Sequence, residues 1–173
     1  MLRPIRNFLL CLAAIVTPSL AHADEGNRFR ADLVSFEEVP AIAAPATASL
    51  RMELSPDGTT LTFELTYQDL SAPPLAAHIH FGQRRVNGAV VVFFCGGGGK
   101  PACPATTSAS ISGTIVAADV LAVPAQGIAA GDLETVLDFL RRGLGYANMH
   151  TPNHPGGELR GQVVAARSRG HVN

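Results

Sequence analysis

The chain has 173 residues, of which 47% are apolar and 16% charged, with a formal net charge of −1. That length suits one domain and is too short for two of ordinary size, and the apolar share excludes intrinsic disorder. The slight acidity excludes the basic footprint by which nucleic acid or an anionic membrane surface is bound.

The N-terminus carries its own signal. Arg3 and Arg6 precede an apolar run from Phe8 to Val16, and Ala21-His22-Ala23 sets small residues at the two positions a signal peptidase reads. The pattern predicts a secretory signal peptide over residues 1–23, cleaved after Ala23, and a mature protein that is periplasmic or secreted. The run is well short of the roughly 20 residues a bilayer requires, so no transmembrane segment is expected in the mature chain. Cleavage removes two of the 13 basic residues and none of the 14 acidic ones, leaving a formal charge of −3.

Two cysteines then remain, Cys95 and Cys103, around Gly96-Gly-Gly-Gly-Lys-Pro-Ala102. An even pair in an exported chain, closing a short glycine-rich loop, reads as a disulfide. A pair of thiolate metal ligands is the alternative, but no second cysteine pair completes such a site.

With 17 glycines and 12 prolines the chain is rich in turns, which suits short strands. Arg28 to Phe36 reads as a first strand, followed by Glu37-Glu38-Val39-Pro40, where the proline ends regular pairing. Ala48, Leu50, Met52 and Leu54 alternate with polar residues, as do Leu61, Phe63, Leu65 and Tyr67. The Ser55-Pro-Asp-Gly58 turn between them predicts a hairpin with one wet face. Ala76–Phe81, Val86–Phe94 and Ser110–Val116 are further strands. The continuous run Val90–Phe94 predicts a position in the middle of the fold.

One helix is expected, capped by Asp132, with Leu133, Val136, Leu137 and Leu140 on one face and Gly143 as its stop. Two last strands, Gly145–Thr151 and Glu158–Ala165, flank Pro152-Asn-His-Pro-Gly-Gly157. The pattern predicts an all-β, antiparallel Greek-key sandwich or barrel over residues 24–166, with one short packing helix and a polar tail at 167–173.

Five histidines follow the leader: His78, His80, His150, His154 and His171. His78 and His80 lie two apart in a strand, so both rings leave one face while Ile79 points the other way. Alternation puts Tyr146, Asn148 and His150 on one side of a later strand. Were the two strands neighbours, three imidazoles would converge, a donor set that suits copper, with zinc as the alternative. His154 in its Pro/Gly loop is a candidate fourth ligand or an exposed residue. His171 falls in the tail. Glu158 and Arg160 share a face, either as a solvated ion pair or with the guanidinium beside the metal as an attractor of small anions.

These residues resemble the CHRD domain, the repeat of the developmental protein chordin. The matching pieces are Glu38-Val39-Pro40, Ala77-His78-Ile79-His80-Phe81-Gly82, Asn87-Gly88, the helix Gly131–Gly143, Tyr146-Ala-Asn-Met-His-Thr151 and Gly156-Gly-Glu-Leu-Arg-Gly-Gln-Val163. They span residues 28–166 and imply an immunoglobulin-like or barrel-like β fold, without implying an activity. The His78-x-His80 strand with the late His150 is also similar to the copper-ligand strands of copper/zinc superoxide dismutase, a Greek-key barrel. That similarity implies copper at His78, His80 and His150 and an anion-guiding role for Arg160. The chain departs from that enzyme in having no zinc-binding loop and no metal-bridging histidine. The competing expectation is a non-catalytic module that binds a protein or cell-surface partner, its histidines serving the fold.

Overall fold

The computed structural model describes residues 26–166, so the expected leader and its expected cleavage point, the tail beyond Ala166 and His171 lie outside the described residues. Eight strands form one antiparallel sheet: β1 Arg28–Val34, β2 Thr47–Leu54, β3 Thr60–Gln68, β4 Ala76–Phe81, β5 Ala89–Cys95, β6 Ala109–Val116, β7 Gly145–His150 and β8 Leu159–Ala165. Their order is β5-β4-β7-β8-β1-β2-β3-β6. β8 lies beside β1 at the start of the β1-β2-β3 meander, and the links from β3 to β4 and from β6 to β7 join strands that are not neighbours, which is Greek-key connectivity. The two ends of the order, β5 and β6, come together without pairing, so the sheet is a nearly closed barrel.

The β2–β3 hairpin shows how local chemistry builds this frame. The Asp57 carboxylate accepts from Ser55 Oγ at 2.5 Å and from Thr59 N at 3.1 Å, which closes the turn. Leu50 then faces Leu65, and Met52 faces Phe63. Leu50, Leu61 and Leu65 are fully buried, whereas Arg51, Glu53, Thr62 and Glu64 stay in water. At the open seam, Leu121 N donates to Val91 O at 2.9 Å. Lys100 Nζ reaches the Thr114 carbonyl at 2.7 Å and the Asp119 carboxylate at 2.8 Å.

The helix α1, Leu133–Arg141, is capped by the Asp132 side chain, which accepts from Thr135 N at 3.0 Å. Its buried face joins the barrel core, and Phe139 stacks on Phe81 with ring centroids 4.6 Å apart. No helix among the described residues is long and apolar enough to cross a membrane.

Three expectations need correction. The first strand stops at Val34, because a 3-10 turn over Ser35–Glu37 turns the chain away and leaves Phe36 exposed. The fifth starts at Ala89, since Val86 to Gly88 form a loop whose Val86 carbonyl is taken by Arg160. β5 is also an edge strand and not central. Its apolar run has another cause. His78 pairs with Phe93 and Ala77 with Cys95, skipping Phe94; His80 pairs with Val90 and Ile79 with Val92, skipping Val91. These two bulges break the alternation and bury Val91, Val92 and Phe94 together.

Candidate metal centre

β4 and β7 are antiparallel neighbours, with His78 opposite Asn148, His80 opposite Tyr146 and Ala76 opposite His150. Ala77, Ile79, Ala147 and Met149 fill the barrel. The alternate residues therefore face outward, where loops cover them. His78 lies between the other two rings, its centroid 4.6 Å from that of His80 and 4.7 Å from that of His150. One ring nitrogen from each histidine lies within 4.8 Å of the others. The convergence expected if the two strands were neighbours is met.

The hydrogen bonds settle which nitrogens are available. His80 Nδ1 lies 2.8 Å from the Gly88 carbonyl, and His150 Nδ1 lies 2.9 Å from the Pro155 carbonyl. A carbonyl can only accept, so each Nδ1 carries the hydrogen and each Nε2 keeps its lone pair. Both Nε2 atoms, and Nδ1 of His78, are buried with no hydrogen-bond partner. Burial, reinforced by the neighbouring His80 and His150, pushes His78 down to about 2. Burial also pushes His80 down to about 4, although the Gly88 carbonyl opposes the shift. Both rings are thus neutral at neutral pH. Three converging and unpartnered nitrogens fit a transition-metal ion, and a carbonyl behind each of two rings is the outer-shell arrangement that orients such ligands.

The surroundings hold the rings from several segments. Tyr146 lies in the middle strand of β4-β7-β8. His80 stacks on it from the β4 side, nearly parallel at 4.5 Å, and the Arg160 guanidinium sits 3.5 Å from its ring centre from the β8 side. Arg160 is 2% exposed. Its NH1 donates to Asn87 Oδ1 at 2.9 Å, and its NH2 donates to the Val86 carbonyl at 2.8 Å and the Gln83 carbonyl at 3.3 Å. It thereby fastens the β4–β5 loop that presents the Gly88 carbonyl. Glu158 does not pair with it: the carboxylate accepts from Ser71 N at 2.7 Å, Ser71 Oγ at 2.6 Å and Thr151 Oγ1 at 2.5 Å. Burial alone would raise that carboxyl, but these bonds outweigh it and hold the group below its usual range. No solvated ion pair forms between them, and the two groups are buried separately, each with its own partners.

His154 sits in the β7–β8 loop, where its backbone N donates to the Thr151 carbonyl at 3.1 Å, and it is not one of the three clustered residues. Cys95 and Cys103 form a disulfide, as the glycine-rich loop suggested. Gly97 and Gly98 of that loop lie on the Phe93 ring so closely that a Cβ at Gly97 would come within 2.4 Å of it. Phe93 in turn meets His78 edge-on at 5.1 Å.

Two participants escape a reading of the sequence. Glu38 is buried, and its Oε1 accepts from Asn148 Nδ2 at 2.6 Å. Gly157 leaves the space, since a Cβ there would lie 2.6 Å from that oxygen. Burial raises Glu38 to about 7, with Asn148 and the Arg160 charge only partly offsetting it. Phe93 is the second. Glu38 stands in the Glu38-Val39-Pro40 piece of the family resemblance, but its partner, like that of Phe93, lies on a distant segment and leaves no local trace.

Fold and cluster together define a Greek-key β barrel with a buried imidazole centre on its outer face. Residues 29–163 match the CHRD domain, and the chain belongs to that family. No curated protein and no solved structure matches it.

Proposed function

We propose that this protein is an extracytoplasmic CHRD module that holds one copper ion through His78, His80 and His150, with zinc as the alternative ion. The observation that carries the reading is the set of three buried ring nitrogens that converge without partners. A buried acceptor without a donor costs about 1–3 kcal/mol, and a shared cation removes that penalty at all three nitrogens at once. Histidines serving only the fold would be expected to have both ring nitrogens satisfied. The Cys95–Cys103 disulfide supports a periplasmic or secreted location, where such bonds persist.

Bound copper would supply one-electron redox chemistry, and zinc would supply Lewis acidity. The chain's own residues bind and orient. The Gly88 and Pro155 carbonyls hold His80 and His150 in the ligating tautomer, and Arg160 fixes the first of those carbonyls through its loop. Its charge near His80 is also the feature on which attraction of a small anion would rest.

The purified protein is expected to take up about one copper per chain by elemental analysis, and His80→Ala is expected to abolish the uptake. Absence of both copper and zinc above background would end this reading. A non-catalytic interaction module, favoured by exposed Phe36, Leu75 and Val86, would then stand. In that case His80→Ala would alter stability and leave metal content at nothing.

A further inference from the structure

The donor set restricts the ion further. This step rests on the metal-binding reading above and concerns which ion the centre prefers. All three donors are imidazole nitrogens, a ligand type that brings no negative charge to the ion, and among the described residues no cysteine, aspartate or glutamate belongs to the cluster. Glu38 is spent on Asn148. No anionic ligand therefore offsets the charge of a bound ion. A buried guanidinium lies close by instead, over the Tyr146 ring on which His80 stacks, and its potential reaches His80. Each added unit of positive charge on the ion is opposed in a poorly screened setting.

Coordination number points the same way. Each of the three rings has one nitrogen closed off from solvent, and among the described residues no fourth side chain completes a tetrahedron. Zinc takes four ligands and fills the place left by a three-histidine set with water, whereas monovalent copper is satisfied by three. We propose that the three-histidine centre is selective for the cuprous ion, Cu(I), over the divalent ions Cu(II) and Zn(II). The divalent ions follow their usual order, with copper ahead of zinc.

The test uses the whole purified protein stripped of metal. Its affinity for Cu(I) is measured anaerobically against bicinchoninate, and its affinities for Cu(II) and Zn(II) against chromophoric chelators for those ions. Cu(I) is expected to bind one per chain and more tightly than either divalent ion, by a factor of roughly ten to a hundred. Arg160→Gln should narrow that factor, while Arg160→Lys, which keeps the charge, should preserve it. Equal or tighter binding of Cu(II) or Zn(II) by the unaltered protein overturns the selectivity and leaves the metal site standing. Binding of none of the three ions overturns the site itself. A folded Arg160→Gln protein with an unchanged ratio overturns the charge argument, and if neither variant folds, the ratio in the unaltered protein decides.

Discussion

The two halves of the one sheet are built to different rules. In β1, β2 and β3 every second residue is buried and the outward ones meet water, among them Arg30, Asp32, Arg51, Glu53, Thr62 and Glu64. In β4, β7 and β8 the inward residues are just as buried, but four of the outward ones, His78, Tyr146, Asn148 and Arg160, are buried too, and only Val164 at the end of β8 is exposed. The first half needs its outer face only for solubility. The second has a roof of loops over a polar layer, and such a layer is costly unless every group in it is satisfied. Nearly every group is, through Gly88, Pro155, Glu38 and the β4–β5 loop. Gln162 Oε1 and Ser35 Oγ are isolated exceptions, and the three converging nitrogens are the clustered one that marks a site.

The contrast can be broken most sharply from the plain half. Leu65 is fully buried in β3, and Leu65→Ala is expected to lower stability by about 2–5 kcal/mol in chemical denaturation. The metal affinity of the folded variant should be unchanged. A parallel loss of affinity would mean that the halves are coupled.

A second effect is one of pH and belongs to the roofed half alone. His78 and His80 titrate at about 2 and about 4 when folded, against an ordinary value of 6.5. Below 6.5 the unfolded chain therefore takes up protons that the folded one refuses. Stability of the metal-free protein falls as pH drops from 6.5 towards 4. Glu38 has the opposite sign, since its folded value of about 7 lies above 4.5, so its contribution is lost as pH rises from 4.5 through 7. Glu38→Gln should therefore steepen the net rise of stability with pH over that window. A variant curve parallel to the original would refute the buried, raised carboxyl.

A smaller effect tests how the glycine loop reaches the rings. Gly97→Ala forces a methyl against Phe93 and, through it, His78. Overpacking of this kind costs about 1–3 kcal/mol, and metal affinity should drop measurably with it. Smallest of all, Glu53→Ala removes the exposed ion pair with Arg28 on the plain half. It should change stability by less than about 1 kcal/mol and leave metal uptake untouched.

The same contrast explains what could be read in advance. Alternation in β2 and β3 was plain because water demands charge or hydroxyl at each outward position. His78, His80 and His150 were legible as a set because a period of two puts them on one face, needing only that β4 and β7 be neighbours. The bulges in β5 hid their own strand, since two extra residues make an alternating pattern look continuous. Glu38 lies 110 residues from Asn148 and Arg160 lies 74 from Val86, so neither partnership leaves a local trace. The buried fate of Glu158 is hidden in the same way, because Ser71 lies 87 residues away.

The seam between β5 and β6 carries a consequence for how these molecules behave in company. A barrel that stops short of closure keeps two strand margins, and bare margins invite identical chains to add themselves strand by strand into fibres. Here the Val91 carbonyl is already capped by Leu121, and the Thr114 carbonyl holds a lysine ammonium that a newcomer would have to displace. The gap is thereby guarded against polymerisation without being zipped shut.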